Sequence, residues 1–273
     1  MTTLGRLGIW RRRMDGTDGL AEIEAAGYSA VWVGASPSVE QARPFLEATA
    51  TMTVATGILN VWQHDPAAVA AAHAETTDAF PGRFVLGLGI GHPEATAEYK
   101  SPLRVMGDFL DGLDAAPRPV PPAERVLAAL GPRMLALAAE HAAGSHTYFV
   151  TPQHTSAARE ALGPGALLAP EVAVVVEPDA EAARSVAREY ARTYLGLSNY
   201  TANLQRFGYT ADDVGNGGSD RLIDAVIPHG AADAVADALR AHLDAGADHV
   251  AVQALGHGPS PVADLRAIAA AMG

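Results

Sequence analysis

The chain has 273 residues, none of them cysteine, and its 31 acidic and 19 basic side chains leave a formal charge of −12. Without cysteine there are no disulfides, thiolate metal sites or cysteine nucleophiles, and the acidic balance argues against a nucleic acid or an anionic membrane as partner. Hydrophobic residues make up 49%, yet no apolar run approaches the roughly 18 residues of a membrane span and no basic-then-apolar leader opens the chain, so a cytoplasmic globular protein is expected.

Strand and helix patterns alternate from the start. Residues 4–10 form a short apolar run, 19–26 read as a helix stopped by Gly27 in the C-cap position, and 29–33 are apolar and β-branched. A strand over 52–59 precedes Asp65-Pro66, an N-cap followed by a first-turn proline, which opens a helix with Val69, Ala72, His73, Thr76 and Phe80 on one face. Pro81-Gly82 then breaks the chain before a strand over 83–88.

The rhythm continues with helix 103–115, a proline-rich link, strand 125–130, helix 134–141, strand 145–150, helix 153–161 and strand 171–176. Pro178 starts a long helix in which Ala182, Val186, Tyr190 and Tyr194 recur at four-residue spacing as one expected buried stripe. Helix 232–245 ends at Gly246, and the last strand is 249–255. The segment 195–220 fits neither pattern and is expected to be a helical insertion near the mouth. "AGYSAVWV" (26–33) echoes "AGADHVAV" (245–252), which supports one repeated helix-glycine-strand unit.

Eight strands alternating with helices predict a parallel sheet covered on both faces. In one domain spanning 1–273, they favour an α/β (β/α)8 TIM barrel with a helical insertion before the last strand. Functional residues are then expected at the C-terminal strand ends: 10–13, 34–36, 60–65, 89–92, 130–133, 150–154, 177 and 256–257.

Gly87, Gly89 and Gly91 alternate in "RFVLGLGIGHPEA". A dinucleotide fingerprint would need a third glycine where His92 stands, and a phosphate P-loop needs a Lys-Ser/Thr pair, whereas the one lysine is Lys100. Either the glycines make room for packing or a bulge, or they let a flat ligand approach the strand end. The run Arg11-Arg12-Arg13 is either a solvated loop or, at the mouth of the first strand, a contact for an anion. His64, His73 and His92 lack tight ligand spacing, which disfavours a zinc site, and Lys100, in a loop beyond a strand mouth, makes Schiff-base chemistry improbable.

"VATGILNVWQHDP", "PGRFVLGLGIGH" and "LAALGPRMLALAAEHAAG", in this order, together with "LSNYTANLQRFGYTADDV", "GGSDRLIDAVI" and "HLDAGADHVAVQ", resemble the bacterial luciferase-like monooxygenase superfamily. The likeness is to the actinobacterial branch of oxidoreductases that use the deazaflavin coenzyme F-420, and it covers essentially the whole chain. It implies a cis peptide near Thr56-Gly57 with Ile58 and Asn60 beside the coenzyme ring, and Gly89 beneath it. Ala129, Leu130, Gly131 and Pro132 match the segment along the coenzyme side chain, where Gly131 would offer amides to a phosphate. Thr151, His154 and Arg221 would reach the same tail.

The sequence departs from that pattern after the second strand, where some relatives carry an Asp-His pair and this chain has Gly34-Ala35-Ser36. His92 stands where some relatives have a catalytic glutamate, and an imidazole can donate or accept a proton near neutrality. His92 and His64 are therefore the catalytic candidates, with Trp10, Arg11 and Trp62 as walls of the substrate pocket. The expected activity is hydride transfer between coenzyme F-420 and a small organic substrate, and the expected assembly, from the resemblance, is a homodimer. The competing readings are a flavin mononucleotide (FMN) monooxygenase on the same fold and a relative that binds a coenzyme without chemistry.

Overall fold

The computed structural model describes residues 4–95, 101–256 and 261–273; Lys100 and His257 lie outside these. Eight parallel strands form the wall: β1 (Leu7–Arg12), β2 (Ala30–Gly34), β3 (Thr53–Thr56), β4 (Phe84–Gly89), β5 (Arg125–Ala128), β6 (Gly144–His146), β7 (Glu171–Val176) and β8 (Val250–Ala254). Each of β1 to β5 pairs with the next, and β8 returns to β1 with Leu7 opposite Val250. The circuit closes around Pro170, which cannot donate to a ladder. Leu167–Leu168 pairs with β6, the amide of Glu171 donates to the Thr147 carbonyl, and β7 then pairs with β8.

The outer ring runs through α1 (Leu20–Ala25), α2 (Arg43–Glu47), α3 (Pro66–Ala79), α4 (Pro102–Asp114), α5 (Pro132–His141), α6 (Pro152–Leu162), α7 (Ala180–Leu195), α11 (Ala232–Asp244) and α12 (Val262–Met272). Asp65 caps α3 by accepting from the Ala68 amide, with Pro66 in the first turn, as its sequence predicts. The insertion contains α8 (Ser198–Arg206), α9 (Ala211–Val214) and α10 (Asp220–Val226) between β7 and β8.

Local details differ from the sequence reading. The strand expected over 52–59 splits into Thr53–Thr56 and Leu59–Asn60, separated by a cis peptide at Gly57-Ile58, one residue beyond the expected bond. The strand expected over 145–150 ends at His146, because Phe149 takes a left-handed conformation at φ 52°. Helices α2 and α12 and the two-residue strand His229–Gly230 carry only weak sequence patterns. In α7 the buried stripe is Ala183, Ala187 and Ala191, one position over from the expected one; these small side chains share a cluster with Leu222, Ile223 and Val226 of α10. Ala182 is exposed, and Tyr190 and Tyr194 are half-buried at the barrel mouth.

The barrel floor is a polar-aromatic plug. Trp32 stacks on His146 with ring centroids 3.9 Å apart and donates its indole N–H to His249 Nε2 at 3.1 Å. Both imidazoles turn Nδ1 to a backbone carbonyl, His146 to Ala169 and His249 to Gly5, and burial depresses their pKa to about 3 and about 4. They are buried neutral rings, each serving as a polar packing piece.

Candidate functional site

A cavity of about 820 Å³ opens at the C-terminal strand ends. Its floor is built by the ends of β3, β4 and β5: Gly57 and Ile58 from the cis peptide, Gly89, and Ala128. The alternating glycines prove to serve packing first. A Cβ on Gly87 would lie 1.9 Å from the Thr56 carbonyl oxygen, and one on Gly89 would lie 2.2 Å from Ile58 Cδ1. Both positions let the β3 turn press against β4, which presents Ile58 to the cavity. Thr56 Oγ1 locks this contact by donating to the Gly87 carbonyl and accepting from the Gly87 amide, each at 2.8 Å.

Gly34 plays a comparable part for Trp10. A Cβ there would meet the indole at 1.9 Å, so the absence of a side chain lets Trp10 lie across the end of β2 and donate to the Gly57 carbonyl at 3.0 Å. Ala35 and Ser36, both in the left-handed region at φ 65° and 49°, complete that wall.

The opposite side is cationic. Gly131 is the N-cap of α5 with no side-chain cap, and Arg133 and Arg206 line the cavity beside it; a Cβ on Gly131 would sit 3.9 Å from the Arg206 guanidinium. An uncapped helix start flanked by two arginines suits an anion. Tyr148 also lines the cavity, with its hydroxyl buried toward Trp10. An apolar floor and a cationic end together fit a planar ligand that carries a phosphate.

His92 reaches the cavity. Its Nδ1 is 3.2 Å from Asn199 Oδ1 and its ring lies against Tyr200. Burial lowers its pKa. With Nδ1–H donating to Asn199, a neutral His92 keeps Nε2 as an acceptor.

Of the residues singled out from sequence, Trp10, Gly57, Ile58, Asn60, Gly89, His92, Ala129, Leu130, Gly131 and Pro132 all line this cavity. The others do not. Thr56 is fully buried behind the floor as the lock just described. Thr151 caps α6, and His154 is buried, its Nε2 against the Leu130 carbonyl at 2.9 Å, so both support the wall from behind.

His64 lies outside the lining, and the Trp62 indole donates to the Ile90 carbonyl at 2.7 Å instead of facing a ligand. Arg221 is exposed, paired with Asp213 and stacked on Tyr209. Arg11 is buried, donates to the Asp18 carbonyl and faces a neighbouring cavity; Arg12 pairs with Asp15 and Arg13 donates to the Ala35 carbonyl. The arginine run thus mainly braces its own loop. Arg133 falls in the strand end 130–133 expected to be functional, whereas Arg206, Asn199, Tyr148 and Tyr200 carry no signal of their own, since only the fold brings α5, the insertion and the β6 loop to one opening. Among the described residues, no group of three His, Asp or Glu side chains could hold a metal ion.

The family model described as luciferase-like monooxygenase matches residues 17–111. The fold is that of the luciferase-like barrels. An F-420-dependent secondary alcohol dehydrogenase, in complex with an F-420–acetone adduct, superposes with a TM-score of 0.77 at 16% identity, over 99% of this chain and 100% of that one. The coenzyme F-420-dependent tetrahydromethanopterin reductase of Methanopyrus kandleri gives 0.68 at 17%, over 98% of both chains. The oxygenating constituent of 3,6-diketocamphane monooxygenase from Pseudomonas putida, in complex with FMN, gives 0.66 at 15%, over 97% of this chain and 96% of that one. No curated protein matches.

Proposed function

We propose that the protein is an oxidoreductase of the luciferase-like type that transfers a hydride between the deazaflavin coenzyme F-420 and a small organic substrate. The observation that carries the reading is the pairing of an apolar floor at Gly57, Ile58, Gly89 and Ala128 with the cationic start of α5 in one cavity. The floor suits a flat ring, and Gly131, Arg133 and Arg206 suit the phosphate and acidic tail. In a chain of charge −12, those arginines are a local exception. The group supplies hydride chemistry; the protein binds it, fixes its exposed face and excludes water.

His92 contacts the substrate. Neutral, with Nε2 free to accept, it holds a hydroxyl or a protonated product oxygen, while Asn199 fixes the ring orientation. Trp10 and Tyr148 wall the substrate side. The F-420-dependent dehydrogenase and reductase on the same fold support this choice of coenzyme.

The FMN-bound structure on the same fold supports a second reading, an FMN monooxygenase supplied with reduced flavin. Titration of the purified protein with each coenzyme, followed by fluorescence quenching, separates the two. Tight binding of F-420 is expected; tight binding of FMN with none of F-420 selects the second reading, and binding of neither rejects both.

A further inference from the structure

A second cavity, of about 850 Å³, lies beside the first at the ends of β1 and β8, lined by Arg11, Arg12, Glu189, Tyr190, Gln253 and Gly256 among others. It reaches the surface at Arg12 and Glu189, which are exposed. Trp10 and Tyr194 line both cavities and form the partition. Behind that partition sits Glu171, 1% exposed on the inner face of β7.

Glu171 is joined to the partition by hydroxyls. Tyr190 Oη lies 3.3 Å from Glu171 Oε1, 3.0 Å from Tyr194 Oη and 2.9 Å from Gln253 Oε1. One hydroxyl carries one hydrogen and two lone pairs. One arrangement satisfies all three contacts together and places a proton on Glu171: Tyr190 donates to Gln253 and accepts from Tyr194 and from a protonated Glu171. The other carboxyl oxygen, Oε2, is buried with no side-chain hydrogen bond, which favours the protonated form.

The titratable groups coupled to Glu171 are Tyr148, Tyr190, Tyr194 and Tyr200, and a backbone N–H, that of Phe149, also reaches it. None of the four tyrosines supplies positive charge to hold a carboxylate. Burial accordingly raises the Glu171 pKa to about 8 and keeps the tyrosines protonated.

We infer that Glu171, Tyr190 and Tyr194 form a proton relay that serves the coenzyme cavity and is refilled from the second cavity. The inference rests on the oxidoreductase reading and names a substrate class for it: a carbonyl compound. With the reduced coenzyme bound, it would supply a hydride to the carbonyl carbon, the C=O π bond becoming a C–H bond and an alkoxide whose oxygen takes the Tyr194 proton. Rotation of the two hydroxyls passes the Tyr190 proton to Tyr194 and the Glu171 proton to Tyr190, leaving Glu171 ionised until water in the second cavity returns a proton along Tyr190. Glu171 acts through Tyr190 and is a positioning and reservoir residue; Tyr194 is the member of the relay that touches substrate. Neutral His92, with Nε2 as acceptor, has no proton to give in this direction.

The test has two arms. In the first, infrared difference spectra of the coenzyme-free protein follow the protonated carboxyl stretch; it is expected at pH 7 in the wild type, lost as pH rises through about 8, and absent in Glu171→Gln. In the second, the protein loaded with reduced F-420 reduces a simple ketone, cyclohexanone, as a carbonyl probe. Glu171→Gln, which keeps the hydrogen bond to Tyr190, and Tyr194→Phe are expected to lower kcat about a hundredfold, with coenzyme affinity and KM unchanged and the alkaline limb of the pH profile removed in Glu171→Gln alone, since Glu171 touches neither ligand. An ionised Glu171 at pH 7, or wild-type kcat in Glu171→Gln, overturns the relay. A protein that shows the carboxyl stretch but binds no coenzyme instead overturns the oxidoreductase reading, and the relay with it.

Discussion

Replacing Gly87 and Gly89 separately by alanine should separate stability from binding. At Gly87 the new Cβ would lie 1.9 Å from the Thr56 carbonyl oxygen, a backbone atom that cannot rotate away. The β3 and β4 strands must then part by about 1 Å, an overpacking strain of roughly 1–3 kcal/mol. The same movement breaks the two buried Thr56 hydrogen bonds, each at 2.8 Å, adding roughly 1–3 kcal/mol for polar groups left unpaired. Gly87→Ala should therefore cost about 2–6 kcal/mol, a shift in midpoint of roughly 4–24 °C for a chain of this size, measured by circular dichroism.

Gly89→Ala meets a different neighbour: its Cβ would lie 2.2 Å from Ile58 Cδ1, the tip of a side chain that can turn into the cavity. The cost is a strained rotamer, about 1 kcal/mol. The ligand then loses its floor, and F-420 affinity should fall about tenfold, or 1.4 kcal/mol. A Gly87→Ala protein that melts with the wild type, or a Gly89→Ala protein that binds normally, would refute the reading of the glycines as the seat of β3 and Ile58.

Arg206→Ala and Arg133→Ala should each weaken coenzyme binding by about 1.5–3 kcal/mol through loss of a charge-assisted contact, and the remaining affinity should depend less on salt; unchanged titrations would place the phosphate elsewhere. His73, His146, His242 and His249 are buried, with pKa lowered by burial to about 4, 3, 4 and 4. Their neutral forms stabilise the fold fully above the unfolded value near 6.5, and that stability is lost as pH falls toward 4, by up to about 5 kcal/mol per pH unit. Glu171 works in the opposite sense, its stabilisation being lost as pH rises through about 8, so urea midpoints should peak between about pH 6 and 7. Gly107 sits inside α4 with open space around it, so Gly107→Ala should raise stability by roughly 0.5–1 kcal/mol in the same urea assay.

Local signals determined the order of elements. Asp65-Pro66 at the start of α3, Gly27 and Gly246 after helices, and the β-branched run of β7 each act within a few residues, and both α3 and β7 lie where the sequence predicts. The glycine spacing of β4 was equally legible, but its meaning was not, because whether a missing Cβ admits a ligand or a neighbour depends on what stands opposite, here Thr56 and Ile58. Tertiary structure also decided the sites of the arginines. Arg221, in a promising glycine-rich stretch, is spent on Asp213 and Tyr209, while Arg133 and Arg206, 73 positions apart with unremarkable neighbours in sequence, share one cavity wall. The Glu171–Tyr190–Gln253 cluster spans β7, α7 and β8. Burial of that carboxyl and closure of the barrel around it are properties of the folded chain, and no spacing along the sequence encodes them.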